Sequence, residues 1–475
     1  MLADKHEDDG IRVSSDPRIS RMITITSIVG FLFTAATSSA AIVPDFRAFY
    51  CAGSAIVAKQ DPYRIEPLRT CERSHGPKSF LLENGGVVPA PLPGYDLAPF
   101  ALASALPYGS AMFLWLLLVW ISAAISIWAV RSLTGMPLAV VVAAMLFSEG
   151  YSSAFSGNIA VFACTGIALA MRFCSQRRYT LAAGSVALAM CEPHVGLGAF
   201  LAMILFIPAA RIPAALCAGA LGALSVVTIG VAGTLEYLQE VLPRHALSEV
   251  THNGQYSLTN LLHLAGVPDR AAVDVGALSY LLMLPLGIIV ASRIRARLHD
   301  DAFLIGIPTA FTLIGGPFIH LVQIAAAVPA ALFLYVKLPE RRFALGCAIM
   351  LLATPWLGAP VLLTNAPFAL LGIALLAWSF TSRMTTANFA MLAAVAILCV
   401  GSVTYHAPIQ PIMHIRLPPS AFSEDAWRIC VRALLSQQTA FYIALKLPTW
   451  CGLLILARIA IRTAFDAPAQ PSASL

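Results

Sequence analysis

The run AMFLWLLLVWISAAISIWAV (111–130) contains no charged side chain and is apolar all round. About 20 such residues in a helix cross about 30 Å of hydrocarbon. A β-barrel strand would instead alternate polarity over a shorter segment. AALCAGALGALSVVTIGVAG (214–233) has the same character. These stretches are read as helices in lipid or inside a helix bundle, because an isolated backbone in hydrocarbon must satisfy its own hydrogen bonds.

The rest of the chain extends this reading. The 475 residues are 59% hydrophobic and 11% charged, with a mean hydropathy of +0.79. Soluble domains carry roughly a quarter charged residues, so this chain could not cover its own surface with polar groups. Hydrophobic segments recur near 22–42, 110–130, 137–149, 157–172, 179–191, 193–209, 212–233, 271–291, 302–318, 320–337, 343–360, 363–380, 388–404 and 440–460. Segments 137–149 and 179–191 are short enough to be half-spans around buried loops. The expected fold is all-α, a polytopic transmembrane helix bundle of about 12–14 spans.

Orientation follows from Lys and Arg in short loops. The tail carries Lys5, Arg12, Arg18 and Arg21. Alternate connections hold Arg131; Arg172, Arg177 and Arg178; Arg211; Arg293, Arg295 and Arg297; Lys337, Arg341 and Arg342; and Arg383. The short loops between them, near 150–156, 192, 318–320 and 355–362, hold none. This pattern puts a disordered tail (1–20) in the cytoplasm, one membrane domain over 21–463, and a second disordered tail over 464–475. The long loops 43–109, 234–270 and 405–437 then lie outside. For a bacterial protein, the membrane is the inner (plasma) membrane and the outer side the periplasm. The small-residue run SSAA (38–41) leaves a signal-peptide reading of the first segment open.

Net charge +6 and pI near 8.8 come from these scattered loop residues and do not form a nucleic-acid surface. The chain has no P-loop, dinucleotide fingerprint, HExxH or CxxC motif, so no cofactor and no metal site is expected. Most of the ten cysteines lie in apolar spans. Cys51 and Cys71 share the first outer loop and could pair in an oxidising compartment, although two free thiols is the simpler reading.

Polar chemistry gathers on the outer side. PDFRAFYCAGSAIVAKQDPYR (44–64) places Phe46, Phe49, Tyr50, Gly53, Ile56 and Val57 on one helical face. It is expected to lie flat in the outer interface and to stop at Asp61-Pro62. Asp45 opens this helix. It can serve as an N-cap, and beside a low-dielectric surface it can also act as a general base. Glu149 and Asn158 flank another outer loop. Glu192 and His194 interrupt CEPHVG, His245, His252, Asn253 and Gln255 share a long loop, and His320 follows GGPFI. Ionisable groups at such places are costly and mark functional sites. Together they imply a polar chamber at the outer leaflet.

DFRAFYCAGSAIVAKQDPYR (45–64) resembles the opening signature of glycosyltransferase family 87, with Asp45-Phe46, Phe49-Tyr50, Ala52-Gly53 and Asp61-Pro62-Tyr63 in order. YDLAPFALASALP (95–107), SGNIAVFACTGIALA (156–170), CEPHVGLGAFL (191–201) and HLVQIAAAVPAALF (320–333) follow as similar but looser motifs. The resemblance covers roughly 20–340. Two departures are Glu192, where the family usually has Lys, and Asp96-Leu97-Ala98, which loosens a Tyr-Pro-Pro motif.

The resemblance implies a C-type membrane glycosyltransferase, polyprenyl-phosphate-mannose-dependent in its best-known members. It would transfer mannose or another hexose from a polyprenyl-phosphate donor to an envelope lipid or glycan on the outer face, with inversion. Asp45 would be the base. Arg47, Tyr50, Asp61, Tyr63, Arg64, Asn158, Glu192, His194, His252 and His320 would bind substrate, with His320, Arg47, Arg64 and His252 nearest the phosphate. The alternatives are a transporter or flippase of lipid-linked or small polar substrates, and an envelope polymerase or ligase.

Overall fold

In the computed structural model, residues 17–39, 44–75, 80–150, 156–358, 366–381, 386–404, 414–434 and 440–466 are described. They form helices, with no strand among the described residues and two isolated antiparallel bridges, Arg64 to Phe422 and Gln255 to His320. The chain is therefore an all-α membrane-type bundle. Each apolar segment expected from sequence contains a helix, from Pro17–Ser39 through Tyr108–Thr134 to Ala440–Phe465.

The helices differ in their ability to cross a bilayer. Tyr108–Thr134, Pro208–Glu249, Asp269–Leu298 and Phe441–Phe465 are long and apolar enough by themselves. Leu321–Lys337 and Pro339–Leu357 reach that length only as a pair bent by 118°. Others, such as Ala160–Ser175, Tyr179–Ala189, Pro193–Phe206 and Phe303–Gly315, belong to a shorter class of 10–17 residues. At 1.5 Å per residue, the shortest rise only about 15 Å. The described helices thus give four to five full-length candidates rather than 12–14. The shorter ones pack around a common interior: every residue of Phe303–Gly315 is buried.

The polar connections sort to two ends. At one end, Arg172 Nε donates to Ser132 Oγ (2.8 Å), Tyr179 Oη to Asp301 Oδ2 (2.7 Å) and Lys337 Nζ pairs with Asp300 (3.2 Å). These are the Lys/Arg-bearing turns that the charge pattern places in the cytoplasm.

At the other end, 43–109 is a helical cap rather than an open loop. The Pro44–Val57, Ile65–Ser74 and Gly94–Ala103 helices enclose Phe46, Tyr63, Leu68, Leu97 and Phe100, joined from far along the chain by Ile415, Phe422 and Ala426. Pro44–Val57 was expected to lie on the interface with one apolar face. It is instead buried from Phe46 to Gly53. The reason is the cap itself, which covers the polar side of the helix as well as the apolar side. Gly53 shows how closely: a Cβ there would meet the Phe100 carbonyl at 2.3 Å. Cys51 and Cys71 are bonded, which corrects the free-thiol expectation and ties the first two cap helices together.

Candidate active site

Asp45 stands at the first turn of the buried cap helix. Its Oδ2 accepts from Asn158 Nδ2 at 2.8 Å, while Asn158 Oδ1 accepts from the Ala160 amide at 2.8 Å. The start of the Ala160–Ser175 helix thus fixes the amide that holds the carboxylate. Burial pushes the Asp45 carboxyl above its ordinary range; the Asn158 hydrogen bond and the electrostatic influence of His320 oppose that rise. A buried carboxylate held by a neutral donor keeps its basicity.

His320 comes from the turn between Phe303–Gly315 and the following 3-10 segment. Its side chain accepts from the Gln323 backbone amide, and Gln323 Oε1 accepts from the His320 amide at 2.9 Å. The rest of the ring faces the donor amide of Gln255 and the Glu249 carboxylate.

Glu249 forms the opposite wall and is nearly fully buried. Trp427 Nε1 donates to its Oε1 at 2.5 Å and Gln255 Nε2 to its Oε2 at 3.2 Å. His252 Nδ1 and His320 Nε2 lie 3.9 and 3.8 Å from Oε2. Gln255 Nε2 also stands 3.0 Å from His320 Nε2, and its Oε1 accepts from the Ile319 amide at 2.8 Å. Burial pushes His252 down to about 4 despite the Glu249 carboxylate, so it is neutral at ordinary pH.

Glu192 stands immediately before the Pro193–Phe206 helix, without a side-chain cap hydrogen bond. Burial raises its carboxyl to about 7, opposed by a Gln323 hydrogen bond and increased by Asp45. His194 Nε2 is 3.7 Å from Glu192 Oε2, and the His194 ring packs on Phe318 at 4.7 Å. Asp96, the other departure from the family pattern, is raised well above its usual value by burial and by Glu192.

His245, Glu249 and His320 could bring ligand atoms within 4.8 Å of one another. The fit to a metal is poor, because the Gln255 NH2 group, a donor only, already lies against Glu249 Oε2 at 3.2 Å and His320 Nε2 at 3.0 Å. The cluster reads better as a buried carboxylate surrounded by hydrogen-bond donors.

The structure gathers Asp45, Asn158, Glu192, His194, His252 and His320 but turns five other sequence candidates to different work. Arg47 lies two residues beyond Asp45, about 200° around the helix. It is buried against the His75 carbonyl (3.5 Å), within electrostatic reach of Glu72. Tyr50 Oη donates to the Leu106 carbonyl at 2.9 Å. Asp61 accepts from the Tyr63 amide at 2.9 Å, and Tyr63 Oη donates to the Leu92 carbonyl at 2.8 Å. Arg64 pairs with Asp61 (2.7 Å) and Glu236 and lies over the Phe422 ring at 3.8 Å. These residues build the cap, and Arg64 is paired with carboxylates of the protein. Side-chain description does not extend to Glu149.

Glu249, Gln323 and Trp427 were not singled out as site residues by sequence. A signal existed for Glu249, which follows His245 by four residues and so shares its helical face. Trp427 arrives from the Ser423–Leu434 helix, remote in sequence.

The model of glycosyltransferase family 87 matches residues 93–314. That segment contains Asn158, Glu192, His194, Glu249 and His252, while Asp45 and His320 flank it. No curated protein and no solved structure matches the chain. The match supports glycosyl transfer over the transport alternative. Residues 93–314 thus form a match to the glycosyltransferase family 87 model, which indicates a glycosyltransferase, and the described residues fold as an all-α membrane-type helix bundle.

Proposed function

We propose that this glycosyltransferase takes a hexose, mannose being the first candidate, from a polyprenyl-phosphate donor and passes it to a hydroxyl of an envelope lipid or glycan on the outer face. The observation that carries this reading is the half-buried Asp45–Asn158 pair within electrostatic reach of His320, whose ring lies against the Gln255 amide. Asp45 takes the proton from the acceptor hydroxyl. The oxygen then attacks the anomeric carbon, and the bond to the phosphate oxygen breaks with its electron pair on the leaving polyprenyl phosphate. Donors aimed at developing phosphate charge are the main means of lowering such a barrier. One base and direct displacement invert the anomeric centre.

Two observations support the outer face. The Cys51–Cys71 bond belongs to an oxidising compartment, and the opposite end carries the Lys/Arg-bearing turns typical of a cytoplasmic face.

The test is turnover by purified protein in lipid with a panel of polyprenyl-phosphate sugars and extracted envelope glycolipids, comparing wild type with Asp45→Asn. Release of polyprenyl phosphate by wild type and its loss in the folded variant are expected. Wild-type turnover of none of the panel would overturn the donor assignment. Full activity in the variant would remove Asp45 as the base.

A further inference from the structure

Lys446 lies in the Ala440–Phe465 helix, more than a hundred residues beyond the matched family segment, and is fully buried. A lysine inside a membrane bundle is costly and needs a structural or functional return. No carboxylate pairs with it among the described residues. Its Nζ donates instead to the Gln255 backbone carbonyl and to Asn260 Oδ1, and it sits 5.4 Å from the centre of the Tyr256 ring.

These acceptors control the wall of the chamber. Asn260 Nδ2 donates onward to the Val250 carbonyl at 2.7 Å and the His252 carbonyl at 3.3 Å. The Gln255 side chain reaches Glu249 and His320, and its Oε1 holds the Ile319 amide. The Leu321 amide donates to the Gly254 carbonyl at 3.0 Å, and the Tyr256 amide to the Ile319 carbonyl at 2.5 Å. One ammonium group therefore organises 250–260 from behind, and that segment is laced to the turn carrying His320.

We infer that Lys446 is a positioning residue for glycosyl transfer: it holds the 250–260 segment so that the linked side chains of Gln255, Glu249 and His320 keep their places beside the departing phosphate. This rests on the donor reading proposed above. Lys446 touches no substrate; it acts through the Gln255 carbonyl and Asn260.

The test is Lys446→Met in the full chain in lipid, with two readouts. In steady-state kinetics, kcat should fall about 10²-fold while donor KM stays within about threefold, because misplaced donors act on the transition state more than on binding. The double variant with Gln255→Ala should be no slower than the slower single variant, since both damage one unit. Hydrogen exchange without donor should quicken at 319–323. A loss confined to KM, multiplicative losses in the double variant, or unchanged kcat and exchange would each overturn the inference. If Lys446→Met does not fold, Asn260→Ala must show the same kcat-limited loss; normal kcat there, or failure of both variants to fold, assigns the network to folding alone. A wild type that turns over no lipid-phosphate sugar would count against the donor reading, and the exchange result would still decide the role of Lys446.

Discussion

The two ends of the Ala160–Ser175 helix treat carboxylates in opposite ways. Beyond its C-terminus, Asp300 pairs with Lys337 at 3.2 Å and accepts from Ser175 at 3.1 Å, while Asp301 binds Arg295 at 2.5 Å and Tyr179 at 2.7 Å. Before its N-terminus, Asp45 and Glu249 are held by Asn158, Gln255 and Trp427, all neutral. An ion pair cancels a charge and makes it structural. Neutral donors hold a carboxylate in place and leave its charge available to a proton or a substrate. The difference separates ion-paired carboxylates from carboxylates held by neutral donors, although both ends are rich in Asp and Glu.

The largest expected effect tests the chamber directly. Asp45→Asn should lower turnover about 10³-fold, the scale of losing a positioned base. It should also raise the apparent unfolding temperature at pH 8. A carboxyl whose folded pKa is raised binds more protons folded than unfolded, so its ionisation destabilises the fold as pH rises, and Asn removes that penalty. The two proteins should converge in acid. Equal unfolding temperatures at both pH values would contradict the burial of Asp45.

Next, Glu249→Gln should cut kcat about 10²-fold by disturbing the wall that orients Gln255 and His320. Turnover near wild type would show that this carboxylate is as structural as Asp301.

A smaller change is expected for Asn158→Ala. Losing the amide removes a hydrogen bond that lowers the Asp45 pKa. The acidic limb of kcat/KM should move to higher pH, with about tenfold lower activity below it. A pH profile with an unmoved limb would mean that Asp45 does not set it.

The smallest effect on turnover belongs to the other end. Asp301→Asn should leave kcat within about twofold but destabilise by about 1–2 kcal/mol, because Arg295 and Tyr179 lose a charged partner in a half-buried setting. Denaturant unfolding in detergent and turnover measured on the same sample separate the two outcomes. A large fall in kcat with unchanged stability would erase the contrast between the ends.

Much of this protein is legible along the chain, because hydrocarbon imposes a local rule. Runs such as 111–130 and 214–233 must be helical wherever they pack, and charge in short turns marks the two ends. That Asp45, Asn158, Glu192 and His320 gather at one end was also readable, since they are ionisable or amide groups interrupting apolar runs on one side. Three other matters depended on contacts between remote segments. That Arg64 is held within the cap was decided by Glu236 and Phe422, which come from far along the chain. Whether the Asp45 helix lies on the membrane surface or under a cap was decided by residues 65–103 and by Ile415 and Phe422. The chamber wall was completed by Trp427 and Lys446, which reach Glu249 and Gln255 across more than 170 residues. Apolar periodicity encodes what a segment must avoid, namely unpaired backbone and charge in lipid. It does not encode which polar partner arrives first, and that choice is made by packing.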